Sequence, residues 1–536
     1  MLNEEGWSLL MILAAVIALL GMGYVFMGRE KTMADRLRSG GGTADTAAGL
    51  TVRAAGFALL GVIPGSLYLG GAGRSVQAAS LCAGLAVQLC WMLPKLRTQE
   101  PASLTVAEIC AKDRFARAGL GAVEALSLLS LTAGALAMAA RVLASVFSLH
   151  TTISLGAAAL LSLMLTVLCG TAARRNMDRL GVALAAGTVL AAFVLAQEML
   201  GSAKIPLTEL LAPQKAESVL GWTTVASDAL WGVGAVGLVA FPHRALAAER
   251  EKAMRRGGRI GTAAIVLLTL LCAGAGLLGR AADATLESRT AAETILIQIV
   301  TMESLPKPLS AVLTAGLTSA LLLSAGAMMT EVGSIAAWDI ALPLTGETRE
   351  KPLMRTAMGA AALSAVLAFV LALDPNRPLQ DYALAGLLLS TVTAAFLWAR
   401  FCRWEACPLG EWMGLGLGAA AAVGWALIPA TRLFGMIGAI PCALLTLLPQ
   451  LLIGRWTQKK AEKAAQASVK PEKTDEPERE KAEEAVEAEE VWAEAEEELD
   501  QTEKTAEVHE NAAAEEAEAE AAEPTEEEKT NGSFDL

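Results

Sequence analysis

A repeated length constrains this chain more than anything else in it. About thirteen apolar stretches, each of roughly 18–25 residues, fill the sequence up to Trp456, and an apolar helix of that length matches the ~30 Å hydrocarbon layer of a bilayer. Inside that layer the backbone finds no water, so each stretch has to satisfy its own N–H and C=O groups as a helix. The stretches lie at about 7–27, 49–70, 75–94, 119–149, 152–171, 180–200, 223–242, 260–279, 308–337, 356–373, 381–399, 409–428 and 433–454. The expected class is an all-α integral membrane protein with about thirteen transmembrane helices. Its function has to be carried by the few polar residues inside those spans.

Composition agrees. Hydrophobic residues make up 54% of the chain and there are 48 glycines, which suits closely packed membrane helices better than a soluble enzyme. The net charge of −13 conceals two different parts. From Thr457 onward 28 acidic residues face 9 basic ones, while the preceding 456 residues carry 28 acidic and 34 basic. We therefore expect a membrane body over 1–456 and an acidic, Ala/Glu-rich tail over 457–536. The tail has too few large apolar residues to bury a core and is expected to be disordered. Lys459, Lys460 and Lys463 at its start suit anionic lipid headgroups. The remainder reads either as a solubilising extension or as an electrostatic dock for a basic cytoplasmic partner.

Lysine and arginine are divided unevenly between alternate loops, 23 against 8, the rich set including Arg36, Arg97, Arg117, Arg175, Arg250 and Arg349. Basic loops stay in the cytoplasm, and thirteen spans place the termini on opposite sides. The expected setting is the plasma membrane, a bacterial inner membrane, with the N-terminus outside and the tail in the cytoplasm. The first span follows Glu4 and Glu5 without a basic segment, so it reads as a retained helix. Six of the eight cysteines lie in or beside spans, and Cys110 and Cys407 show no CxxC spacing, so neither disulfides nor a metal cluster is expected. With three histidines, no Ser-His-Asp set and no phosphate loop, no enzyme class and no nucleic-acid partner is indicated. Two loops look structured: 99–116, with Ser103 as a helix cap, and 290–304, an outer-face helix. Each is either a gate element or a surface helix.

Four segments, AAGFALLGVIPGSLYLGG at 54–71, SLTVAEICAKDRF at 103–115, GLVAFPHRALAAE at 237–249 and RWEACPLGEWMGLGLG at 403–418, occur in an order and spacing that resemble the sodium:solute symporters. That is the group of the proline, pantothenate and sodium–sugar symporters, and the resemblance covers about residues 5–455. It implies an inverted-repeat (5+5), leucine-transporter-like fold with core repeats at about 49–200 and 223–400. In such folds the site lies near the midplane, where broken helices expose backbone groups. Gly61, Pro64 and Gly65 are well placed for the break, or else serve close helix packing.

The sodium site implied by the resemblance is altered here. The family holds its ion with carbonyls of the broken helix and a hydroxyl pair in the ninth span; counted from Asp339, that pair falls on Leu323 and Ser324. One hydroxyl remains. Asp178 matches the Asp that opens the sixth span near the inner end of the ion route, or else pairs with Arg174, Arg175 and Arg179. An acidic residue of the proline symporters falls on Arg53. A guanidinium within a span costs several kcal/mol without partners. Arg53 either snorkels to the interface or points inward and takes or repels the sodium. Sodium is thus the coupling ion the resemblance implies, at a site in doubt, and no other cofactor is expected.

For the solute, the third span offers only Ser75, Gln77, Ser80 and Gln88, too few partners for a sugar. A small, partly apolar solute such as an amino acid or a carboxylate fits better, with Arg53 available to its carboxylate. Asp228 and Trp231 in the seventh span are gate candidates, and His243 belongs to the turn after Pro242. Glu124 and Arg141 lie ~25 Å apart along one helix and cannot pair. Two readings remain: a secondary transporter working by alternating access, and a non-transporting sensor or scaffold on the same fold whose tail carries the output.

Overall fold

The computed structural model describes residues 4–468 except 26–31, 38–40, 169–170, 204–205, 214–220, 282–284, 405–406, 429–430 and 432–433, and the described residues form helices without a strand. Ten helical runs among them are long and apolar enough to cross a membrane. One of these, Ala58–Gln99, is 42 residues long. It is interrupted at Gly71, where a φ of +67° favours glycine, so it holds two of the expected spans. Thr151–Leu168 and Pro408–Leu427 occupy two further positions. Among the described residues, each of the thirteen expected stretches falls mainly on helix. Met1–Thr457 forms one compact unit and Gln458–Leu536 another; nearly all of the acidic tail lies outside the described residues.

Proline sets the local geometry of three spans. The helix widens into π-type turns at Ala58–Val62, Val87–Met92 and Ala336–Ala341, and each is followed two residues later by a proline: Pro64, Pro94 and Pro343. A proline inside a helix lacks its N–H and clashes with the carbonyl four residues back. The wider turn gives that carbonyl room.

Among the described residues two spans are broken at their middle, and they are the first of each expected repeat. Thr43–Ala54 ends at Ala55, whose ψ of 39° leaves the helical range, and the chain resumes as the widened turn and then Ile63–Gly70. Trp222–Val236 stops at Gly237 and resumes as Ala240–Leu246. Glycine is required at the second break, because a Cβ on Gly237 would fall on the Ser390 carbonyl of the neighbouring helix. This corrects the placement of the first break: Gly61, Pro64 and Gly65 follow it rather than form it. Gly61 lies in the widened turn, and a Cβ on Gly65 would meet the Glu293 backbone at 2.8 Å. Those two glycines admit a neighbouring segment.

The centre of the molecule is formed by Arg114–Phe147, Lys307–Ile335 and Leu379–Phe401, which are buried along most of their length. Helices such as Glu350–Leu371 turn leucine and valine outward, as a lipid-facing surface does: Leu363, Val366 and Val370 are exposed. The short segment Arg289–Ala292 and Ile295–Val300 packs its isoleucines against the body. It is a structured element within the stretch expected at 290–304. In the other loop the helix is Val106–Cys110, and its cap is Thr105 rather than Ser103, since the Thr105 hydroxyl accepts from the Glu108 N–H at 3.3 Å.

Candidate functional site: a central cavity closed at both ends

Between the two broken helices lies a cavity of about 50 Å³. Arg53, Gly56 and Phe57 border it at the first break, and Ile63, Leu81, Leu131, Phe241 and Met328 supply an apolar wall. Pockets that hold organic ligands usually measure ~300–1,000 Å³, so the cavity as it stands is contracted. The ninth-span residue singled out by counting is indeed at the break. The Ser324 hydroxyl donates to the Arg53 carbonyl at 3.4 Å, and a Cβ on Gly56 would come within 2.6 Å of its oxygen.

The face with the basic loops is closed by a buried charge network. Arg53 is neither exposed nor snorkelling: its guanidinium donates to Glu331 at 2.7 Å and to the Gly49 carbonyl at 3.0 Å, and lies 3.8 Å from Asp178. Asp178 also faces Arg174 at 3.5 Å and Arg244 at 3.4 Å. Arg174 in turn donates to the Leu323 carbonyl at 3.1 Å. Three guanidinium groups therefore stand against two carboxylates. One backbone carbonyl beside Ser324 is taken by an arginine, and an added cation would meet net repulsion. Glycine makes the packing feasible, since a Cβ on Gly49 would strike the Arg244 side chain and come within 2.9 Å of Asp178. Arg179 and Arg175 go elsewhere, to Asp45 at 2.6 Å and Glu249 at 3.8 Å.

The opposite face is closed by two further pairs. Arg74 grips Asp228 with contacts of 2.9 and 3.1 Å, joining the end of the first broken helix to the start of the second. Arg141 donates to Glu293 at 3.1 Å and to the Arg377 carbonyl at 2.7 Å. Glu293 also accepts the backbone N–H groups of Leu379 and Gln380 at 2.6 and 2.9 Å, so it caps Leu379–Phe401 from the 289–300 segment. Burial pushes its carboxyl above the usual range, while those N–H groups and Arg141 pull it back.

Of the expected solute residues, Gln88 donates its amide N–H to the carbonyls of Val236 and Leu238 at 2.6 and 3.2 Å, supporting the second break, and its Oε1 has no hydrogen-bond partner among the described residues. Gln77 is fully buried, and neither amide atom has a hydrogen-bond partner. Trp231 is fully buried and so is not an interface anchor. Arg53 is paired with Glu331 and faces Asp178, while its Nε has no hydrogen-bond partner among the described residues. The sequence reading missed Glu331 and Arg244, each a single charge near a span end, and Glu293 as the partner of Arg141. Charge signs alone gave no pairing across such separations.

A family model for the sodium:solute symporters matches residues 38–404. The chain belongs to the sodium:solute symporter family. This family member is a membrane protein of secondary active transport whose substrate is a small-molecule solute, and the family's coupling ion is sodium. Its fold is similar to a Na+-coupled sialic acid symporter in a substrate-bound, outward-open state, with a TM-score of 0.69, 12% identity and coverage of 84% of this chain and 98% of that one. It is also similar to MHP1, a nucleobase-cation-symport-1 family transporter, in a closed conformation with bromovinylhydantoin bound, with a TM-score of 0.51, 15% identity and coverage of 79% and 94%. At these identities the likeness shows the inverted-repeat fold of this symporter alone. No curated protein sequence matches the chain.

Proposed function

We propose that this symporter moves a small, largely apolar organic solute across the plasma membrane by alternating access through the central cavity, with Arg53 as a built-in cation where sodium would otherwise sit. The observation that carries this reading is the Arg53 guanidinium, buried against Glu331 and facing Asp178, on the residue whose backbone carbonyl accepts from the Ser324 hydroxyl. A fixed charge there supplies the attraction between the broken helix and Lys307–Ile335 that a bound ion would provide. The apolar wall supports a solute with few hydroxyls, such as a monocarboxylate or an amino acid with an apolar side chain. The polar end of the solute would be met by backbone groups freed at the breaks. The uneven loop charge supports an N-terminus outside and a C-terminus in the cytoplasm. The ion pairs at both faces support an occluded arrangement, in which opening either side means parting one set.

The test is melting of the purified full-length protein in sodium against choline at equal ionic strength, for wild type and Arg53→Ala. The expected result is no sodium-specific rise in wild type and a rise in Arg53→Ala, in which the carboxylates regain a free cation. A clear sodium-specific rise in wild type overturns the reading.

A further inference from the structure

Beyond the Arg53 network lies a second buried group of acids that the cavity does not use. Glu124, on Arg114–Phe147, is 1% exposed, and neither of its carboxylate oxygens has a hydrogen-bond partner. One of its oxygens lies within 4.8 Å of an Asp339 oxygen and of a His243 ring nitrogen. Asp339 is fully buried; one of its oxygens accepts from the Thr105 hydroxyl at 2.6 Å and from Arg117 Nε at 3.1 Å, and the other accepts from nothing. Arg117 is shared further, with the Trp338 carbonyl at 3.0 Å and Glu108 at 3.8 Å. The buried Cys110 thiol on the loop helix lies on the same side.

The imidazole of His243 does not fit a metal ligand here. Its Nε2 accepts the Val106 N–H at 3.0 Å, so the hydrogen is on Nδ1, which faces Glu331 at 3.6 Å. Two carboxylates this close, away from water and with one divided guanidinium between them, do not both stay ionised. Glu124, which has no donor, is the group left to hold a proton.

We propose that Glu124, facing Asp339, is a proton-binding site of the transport cycle. This rests on the reading that a guanidinium replaces sodium at the break, because it names the cation left to couple. The segment that seals the site also closes the basic-loop face: Thr105 holds Asp339 and Val106 holds His243. When that segment lifts, water reaches Glu124, the proton leaves as hydronium on that side, and the carboxylate left behind is free to pair with Arg117. When the segment closes again, the site has to take a proton back before it is buried.

The experiment is infrared difference spectroscopy of the full-length protein in lipid nanodiscs near neutral pH. The expected signal is a protonated-carboxyl stretch that shifts in D2O, is lost in Glu124→Gln and is kept in Asp339→Asn. Thr105→Ala, which leaves both carboxyls in place, covers the case in which Glu124→Gln fails to fold: its band should exchange in D2O faster than that of wild type. Absence of the band in wild type, its persistence in Glu124→Gln, its loss on adding sodium, or unaltered exchange in Thr105→Ala overturns the proposal. A sodium-specific rise in wild-type melting with the band intact supports the proton site and overturns the Arg53 reading alone.

Discussion

If Arg53 is a structural cation, its pairing with Glu331 should be measurable as a coupling. Arg53→Ala removes a 2.7 Å contact and leaves Glu331 with His243 at 3.6 Å as its ion-pair partner among the described residues, whereas Asp178 keeps Arg174 and Arg244. Stripping the partner from a buried charge costs about 3–5 kcal/mol. Glu331→Ala should cost less, because Arg53 keeps Asp178 at 3.8 Å and the Gly49 carbonyl at 3.0 Å. Removing both leaves neither charge stranded, so the double variant should be more stable than the sum of the two single losses predicts, by about 1–3 kcal/mol. The four proteins are compared by unfolding in mixed SDS micelles. Additivity within about 0.5 kcal/mol would refute the pairing as an energetic unit, whatever its geometry.

Three further outcomes follow from packing and charge. Gly237→Ala should lower the melting temperature through about 1–3 kcal/mol of overpacking, because its Cβ lands on the Ser390 carbonyl and lies 2.8 Å from Ala394 N; Gly416→Ala, with nothing within 4 Å of its Cβ, should be neutral or slightly stabilising in the same assay. Burial raises the Glu293 carboxyl, so the folded state binds more protons than the unfolded one as pH climbs above 4.5, and the stability of the 289–300 segment falls through that window until the raised value is passed. Hydrogen exchange over 289–300 should therefore speed up across it, and Glu293→Gln should remove that slope. Burial likewise pushes the Cys110 thiol well above its usual range. Peptide-level maleimide labelling at Cys110 should be slow in wild type, faster in Thr105→Ala, and unchanged at the exposed Cys402.

The spans were legible because their signal is length, which needs no partner to interpret. The remaining hydroxyl at Ser324 was also legible, since counting back from Asp339 along one continuous helix preserves register. The first break was misplaced for a physical reason: Pro64 widens a helix, whereas the chain leaves helical geometry at Ala55–Gly56, where no proline marks it. The break at Gly237 carried only a single glycine among the many in this chain, and its necessity comes from the Ser390 carbonyl on a helix far along the sequence. Pairings such as Arg53–Glu331, 278 residues apart, depend on tertiary placement. No local pattern encodes them.

The long helix Arg114–Phe147 takes part in the closure at both faces. Near one end Arg117 binds Asp339, near the other Arg141 binds Glu293, and between them Ser127 and Ser130 are tied to the carbonyls of Gly386 and Tyr382 at 2.8 and 2.9 Å. Arg117 and Arg141 are separated by ~36 Å of stiff helix. A beam pinned near its middle cannot lift at both ends. If the serine tethers act as a fulcrum, the rule that only one side opens at a time is a matter of leverage, and lengthening or cutting those two tethers should make the protein leak before it makes it unfold.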